Sequence, residues 1–473
     1  MGRTVPERPG SREQGPLRCR SMSLPPGPST PAPWNLIRWM REPLSVLREC
    51  RERYGETFTL HLGALPPMVI LSNPEHVREV FASAGDDMHG GKIAHALRPF
   101  LGERSVIVLD GAPHRTMRKL VMPPFHGERM HAYGRDMVEL THASIDRWPV
   151  GKGFPIHEPL QGITLDVILR TVYGVDDAAE RERLGAQLTR LTHLASWPPM
   201  LLPQVQRDLG PWSPWGRFVR EGQVADASLM AGIARRRREG TEGRTDILSM
   251  FVDVRDEEGR GLDDQDLRDQ LVTLLVAGHE TTATALAWTL RWVLSLPAVR
   301  DRLLSELRAA QRTGPLTPER IAKLEYLDAT VREGLRLQPV IPLVGRVLQQ
   351  PMRFAGYDLP AGVALAPSVH LVHQNPSLYE NPSRFEPERF LGRQYKAHEW
   401  IPFGGGIRKC VGMAFALYEM KMVLATVLSR VWLRTAPGYA PRAVRRSITL
   451  TPSQGMPVIV DAVLPRHPVP AAA

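Results

Sequence analysis

The chain has 473 residues, of which 43% are hydrophobic, and its 60 Lys and Arg against 50 Asp and Glu leave a net charge of +10. That apolar content is ample for a core, while no uninterrupted apolar run reaches the roughly 18 residues needed to span a bilayer, so a soluble, cytoplasmic protein is expected. Its three cysteines, Cys19, Cys50 and Cys410, have neither disulfide-framework nor metal-knuckle spacing, which points to a reducing compartment.

Residues 1–21 are rich in Arg and Pro and have no apolar centre, so they are neither a secretory signal nor an anchor. Either Met22 is the true start, or 1–21 form a disordered extension. The length alone suggests about three domains. No internal repeat or long flexible linker separates the apolar blocks, however, and residues 22–473 read as one unit. Pro43 to Tyr54 has helical apolar spacing, and Thr57–Leu62 with Met68–Leu71 reads as a strand pair. Asn73-Pro74-Glu75 opens a helix whose buried face carries Val77, Val80 and Phe81. The glycine-containing stretch from Met88 to Leu109 reads as a loop-rich connection.

A helix begins at Asp110-Gly111-Ala112-Pro113, and His114 and Arg118, four apart on one face, could grip an anion. Further helices are expected over 127–148 and 160–172. From Leu184 to Arg220 the chain is apolar and broken by Trp197-Pro198-Pro199 and Pro211-Trp212-Ser213-Pro214. This pattern suits a mobile roof or loops packed on the body. The run Arg235–Arg238 lacks interleaved aromatics and reads as a solvated helix end, so no nucleic-acid partner is expected.

Asp263 to Leu296 is the longest candidate helix, on the order of 50 Å, and contains Ala277-Gly278-His279-Glu280-Thr281-Thr282 near its middle. Glycine and tandem threonines are poor helix formers, tolerated there for packing or for function. The Thr281 hydroxyl can bond the carbonyl of Ala277 and bend the helix locally. A zinc-peptidase reading of His279-Glu280 fails because position 283 is Ala283 rather than a second histidine.

Glu333 and Arg336 lie one turn apart and can pair. Pro339 to Arg346 reads as an apolar strand able to line a pocket. Near the C-terminal end, Phe403-Gly404-Gly405-Gly406-Ile407-Arg408-Lys409-Cys410-Val411-Gly412 precedes a helix running to about Arg430. A cysteine at a helix N-terminus beside Arg408 and Lys409 should have a lowered pKa, and loop N–H groups freed by the glycines could approach its sulfur. An ionised sulfur is a metal ligand.

The pattern Phe-x-x-Gly-x-Arg-x-Cys-x-Gly, filled by Phe403, Gly406, Arg408, Cys410 and Gly412, resembles the haem-binding loop of the cytochrome P450 family. The resemblance extends from about Leu24 to the end of the chain. It implies a mainly α fold with small β-sheets and haem b between the long central helix and the cysteine-loop helix. Cys410 would be the iron ligand, His114, Arg118, Arg346 and Arg408 would meet the propionates, and Ala277, Phe403 and Gly412 would also adjoin the cofactor. Glu280 and Thr281 match the acid and alcohol that deliver protons for oxygen activation, which favours O2 over peroxide as oxidant. Glu333, Arg336 and Arg389 match a buried triad that steadies the loop; His373 is taken as structural.

By the same resemblance, Thr273, Val276, Ala277, Val340, Ile341, Leu343 and Gln454 are positional candidates for the pocket wall, and a lipophilic substrate follows. Fatty-acid hydroxylation is the first expectation and terpenoid oxidation the second. No residues are left for a fused reductase, so electrons from NAD(P)H would arrive through a separate ferredoxin or flavodoxin on a basic face containing Arg408, Lys409, Arg393 and Lys396. A monomer is expected. The alternatives are a haem-thiolate gas or redox sensor, which would not need Glu280 and Thr281, and an apolar-ligand carrier, which would not need Cys410.

Overall fold

A capping box starts the helix around which the fold is laid. Asp263 accepts from the Asp266 N–H at 2.8 Å, and the Asp266 carboxylate accepts from the Asp263 N–H at 3.2 Å, satisfying donors that a helix start leaves open. The helix runs for 32 residues, Asp264–Ser295, about 48 Å at 1.5 Å per residue, and stops before Pro297. Leu267, Leu271, Leu275, Leu286, Leu290 and Val293 form its buried stripe. The helices His157–Thr171, Glu325–Leu337 and Met413–Arg430 pack against it. The computed structural model describes residues 23–466 apart from positions 64, 84, 126–128 and 203, so the expectations for 1–21, Met22 and the last residues of the 22–473 unit lie outside the described residues.

The fold is mainly helical with small sheets, 54% helix with sixteen α-helices among the described residues. Thr57–Leu60 and Met68–Leu71 pair antiparallel, with Thr57 opposite Leu71, and Ala364–Pro367 joins the second strand in parallel. Arg346–Leu348 and Met88–His89 complete this five-stranded sheet. Pro43–Tyr54 is a helix with the predicted bounds, and Asn73 caps the next one by accepting from the Glu75 N–H at 2.9 Å. The helix expected over 127–148 spans Arg129–Ile145, and that expected over 160–172 begins earlier, at His157.

Two expectations need correction, for the segment before Arg346 and for the arginine run, while the stretch 184–220 agrees with a broken connection between helices packed on the body. The segment from Pro339 to Gly345 is irregular and the strand starts only at Arg346, because Pro339 and Pro342 have no N–H to give a ladder. The broken stretch 184–220 contains the end of one helix, Ala178–Ala195, and the start of a 26-residue helix, Pro214–Glu239, capped by Ser213. Between them Trp212 is 86% exposed, while Met200 and Trp215 pack inward on Phe100. The arginine run does end that helix but is not simply solvated. Arg235 pairs with Glu180 at 3.0 Å and Arg237 with Asp264 at 2.6 Å, while Arg236 is buried 3.7 Å from Asp246.

The cysteine loop is held from below by a charged cluster. Arg336 donates to both oxygens of Glu333 at 2.6 and 2.8 Å, and Arg389 donates to Glu333 at 3.1 Å. Arg336 also donates to the carbonyls of His373 and Pro382 at 2.8 Å and of Arg384 at 3.0 Å. His373 carries the connection onward: its Nδ1 bonds the Arg336 carbonyl at 3.0 Å, and its Nε2 accepts from the Ile401 N–H at 2.9 Å. Ile401 is fully buried two residues before Phe403. The Ile401 bond requires an unprotonated Nε2, and burial holds the His373 pKa well below its ordinary value.

Replacing His373→Leu roughly keeps the volume but leaves the Ile401 N–H without its acceptor; we expect a loss of about 2 kcal/mol in denaturant unfolding, and unchanged stability would show that the bridge holds nothing. The protein should also be acid-sensitive. Burial lowers His142 and His157 to about 4 and His370 to about 3, below the roughly 6.5 of an unfolded histidine. The unfolded chain therefore binds more protons below that value: the stabilisation is complete above about pH 6.5 and is lost, by about 1.4 kcal/mol per histidine per pH unit, as pH falls toward the folded values. A thermal midpoint unchanged between pH 7 and 5 would contradict this.

Candidate active site

The cysteine loop turns tightly because Gly404 and Gly406 take φ of 65° and 62°, a region that disfavours side chains. Gly405 is extended, but a β-carbon there would lie 2.1 Å from the Phe81 ring. The glycines thus turn the loop and seat it on Phe81. The N–H that bonds the Cys410 sulfur is that of Gly412, immediately before the helix Met413–Arg430. Cys410 in turn donates its own N–H to the Phe403 carbonyl at 3.0 Å.

Cys410 opens into an interior cavity of about 1150 Å³ and is otherwise surrounded by protein. Burial pushes its thiol up, against smaller opposite effects of the Gly412 N–H, Arg118 and Lys409, so the lowered value expected from the helix end is not found. Part of the reason lies in Arg408. Its guanidinium is turned to Asp110 and the Leu109 carbonyl, and also donates to the carbonyls of Val106 and Ile107 at 3.3 Å.

Four donors expected from the sequence to share an anion do converge on this cavity: His114, Arg118, Arg346 and Arg408 all line it. His114 is 2% exposed, its Nδ1 has no partner, and burial followed by the charges of Arg408, Arg118 and Arg346 lowers it to about 3. Arg346 is lowered to about 10 by burial and by Arg408, and donates to the carbonyls of Gly345 at 2.8 Å and Gly405 at 3.3 Å. Asp110 is paired with Arg408, and no protein carboxylate pairs with Arg118 among the described residues. Such a cluster fits a ligand with more than one negative charge. Ala277, exposed to the cavity in the middle of a largely buried helix, leaves room for a flat apolar body beside it. The site therefore fits an anionic planar group such as haem b.

On the central helix the Thr281 hydroxyl donates to the Ala277 carbonyl at 2.6 Å, the predicted local bond. Glu280 is directed elsewhere. One of its oxygens accepts from the Gln161 side-chain amide; the other has no hydrogen bond and lies 3.9 Å from Arg446 and 4.0 Å from His157. Asp110, Gln161, His157 and Arg446 were not singled out by sequence reasoning, since each is distant in sequence from the group it meets. Glu419 was missed too: burial pushes its carboxyl up to about 8 despite a hydrogen bond with Thr282. Its place nine residues after Cys410 in an apolar helix was the available signal.

Thr273, Val276, Ala277, Val340, Ile341 and Leu343 all line the cavity. Gln454 does not: it is exposed, at φ 54°, and the late part of the chain reaches the cavity instead through Arg446 to Thr449. The expected basic face is also smaller than thought. Lys409, Arg393 and Lys396 are exposed, whereas Arg408 is committed inside.

Among the described residues no helix is long and apolar enough to cross a membrane. The family model described as Cytochrome P450 matches residues 25–458. "Putative cytochrome P450 135B1" of Mycobacterium tuberculosis is 39% identical over 445 residues, covering 93% of this chain and 92% of that protein. "Putative cytochrome P450 137" of the same organism is 34% identical over 404 residues, covering 85% and 82%. Among solved structures, "Retinoic acid bound cyanobacterial CYP120A1" shares the fold with a TM-score of 0.79 at 24% identity, covering 94% of this chain and 100% of that one. With the cysteine loop, the long central helix and these relatives in agreement, the chain belongs to the cytochrome P450 family, the haem-thiolate monooxygenases.

Proposed function

We propose that this monooxygenase inserts one oxygen atom of O2 into a C–H or C=C bond of an elongated lipophile, with Cys410 as iron ligand and Glu280 and Thr281 as the proton-delivering pair. The supporting observation is the opening of the Cys410 sulfur and the Glu280–Thr281 segment into one largely apolar cavity. His114, Arg118 and Arg346 would hold the haem propionates, while Arg408, tied to Asp110, braces the loop beside them. When bound, haem b supplies reductive activation of O2 at thiolate-ligated iron.

The chain's own contribution is positional and protonic. Glu280 takes a proton from the solvent-facing edge of the cavity, passes it inward and ends as the carboxylate. The Thr281 hydroxyl, freed from Ala277, orients the receiving site. Two electrons and two protons put one oxygen atom into product and release the other as water. We assign the electrons to NAD(P)H, delivered through a separate ferredoxin or flavodoxin at the face of Lys409, Arg393 and Lys396, and the protein to the cytoplasm.

The central helix serves as a ruler for the substrate. Arg268 and Thr281 both line the cavity, thirteen residues apart, or about 20 Å along the axis. Arg268 is already held by Asp226, at 2.8 Å to each carboxylate oxygen, and by Asp269 at 2.9 Å. An acidic head group there would compete with two aspartates, whereas Asp226, Thr189 and Gln223, which also line that end, can bond a hydroxyl. This favours a neutral terpenoid-like lipophile over the fatty acid first expected.

Two measurements test this reading. Reduced protein exposed to carbon monoxide should show a strongly red-shifted Soret band that Cys410→Ser abolishes; an unshifted wild-type band would remove Cys410 as the ligand. In a spin-state titration geranylgeraniol should bind roughly tenfold or more tightly than palmitate, a difference of about 1.4 kcal/mol, and equal or tighter palmitate binding would restore the fatty-acid reading.

A further inference from the structure

Glu280 is oriented by residues brought from two other parts of the chain. Gln161, on the helix His157–Thr171, gives its side-chain amide N–H to one Glu280 oxygen, and its own amide oxygen accepts from Arg446 at 3.5 Å. Arg446 also lies 3.9 Å from the second Glu280 oxygen, which has no hydrogen bond. With its N–H on the carboxylate and its oxygen toward the guanidinium, and with His157 beside it, the Gln161 amide has its orientation set.

Arg446 is well placed for this contact. It closes the two-stranded hairpin Ala443–Arg446 with Thr449–Pro452, paired opposite Thr449. The Thr449 hydroxyl donates to its carbonyl at 2.8 Å, and its side chain is 30% exposed. Ser447, at the tip, has φ of 53° and gives its N–H to the Ser196 carbonyl at 2.9 Å, at the end of the helix Ala178–Ala195.

The other groups near Glu280 do not supply this charge. His157, 4.0 Å away, bonds the Thr284 hydroxyl at 3.0 Å and the Gln161 side chain, and is lowered to about 4, chiefly by burial, hence neutral near pH 7. His279 is buried and bonded to the Leu275 carbonyl at 2.8 Å. Glu419, on the cysteine-loop helix, is bonded to Thr282.

We infer that Arg446, acting directly and through Gln161, is the positioning residue for Glu280, holding its carboxylate toward the solvent-facing edge of the cavity, where the acid reloads with a proton between turnovers. A carboxylate without this hold would rest nearer Thr281 and away from solvent, so that delivery could occur but reloading would be slow. The inference rests on the proton role proposed for Glu280.

The test compares Arg446→Gln, Arg446→Lys, Gln161→Leu and Glu280→Gln in the haem-loaded protein. The first readout is the crystal structure of each variant: Arg446→Gln should release the Glu280 side chain from Gln161, and Arg446→Lys should keep it there. The second, with geranylgeraniol as probe and a surrogate ferredoxin system, is hydrogen peroxide released per NADPH and the solvent deuterium isotope effect. Both should rise at least threefold in Arg446→Gln and in Gln161→Leu, and return toward wild type in Arg446→Lys, each measured at a probe concentration that saturates that variant's spin-state shift.

An Arg446→Gln structure with Glu280 still on Gln161, together with wild-type peroxide release, would overturn the inference. If Arg446→Gln does not fold, Gln161→Leu decides by the same readouts. Should Glu280→Gln alone leave peroxide release unchanged, the proton role of Glu280 falls, and the crystallographic readout still decides separately whether Arg446 sets the orientation of its side chain.

Discussion

A carboxylate and a guanidinium buried together at 0% side-chain exposure, Glu333 and Arg336, set the terms for the lower half of this molecule. Removing two charges from water costs several kcal/mol per ion, and their attraction offsets that only when the remaining hydrogen-bonding capacity is filled. Here it is filled from elsewhere in the chain. Arg389 and the Glu386 N–H complete Glu333, and the carbonyls of His373, Pro382 and Arg384 complete Arg336. The segment 373–389 is thereby fixed against the helix Glu325–Leu337, and His373 extends the same network to Ile401. A buried pair of this kind is weak evidence for stability, but it specifies where the loop must lie.

The upper side of the loop has the opposite electrostatic character. Arg118, Arg346 and His114 gather at the cavity, the two arginines with charges incompletely answered by protein, and Arg346 and His114 are depressed by burial and by neighbouring positive charge. Folding alone does not reward such a gathering. It makes physical sense as a place for an anionic ligand. Arg408 differs from the others in having its own carboxylate, Asp110, and so ties the cysteine loop to the start of the helix that carries His114 and Arg118. Arg408 thus braces the loop while also lining the cavity.

At the centre of the molecule, adjacent residues on one helix face different tasks. Thr281 is turned into its own helix, toward Ala277, while Glu280 is turned outward to Gln161 and Arg446. The hydroxyl and the carboxylate, adjacent in sequence, are thus held by different partners. The hairpin that brings Arg446 to the acid also meets the end of the helix Ala178–Ala195 through Ser447 and Ser196. The same short turn thus touches the acid and, at Ser196, the cavity lining.

The sequence by itself determined the parts whose physics is local. The central helix was legible from its length, the stop at Pro297 and the absence of internal proline, the Asn73 cap from Asn-Pro-Glu, the Thr281 bond from i to i−4 geometry, and the cysteine loop from a dense, ordered motif. What only the tertiary structure decided depends on groups that meet across long stretches of chain. No periodicity could show that Arg408 is consumed by Asp110, that burial outweighs the helix end at Cys410, or that His373 bridges the charged triad to Ile401. Nor could it show that Gln454 misses the cavity while Arg446 reaches Glu280. Each of these outcomes is set by which polar groups are left unpaired once the helices have packed, and that is a property of the assembled interior rather than of any segment.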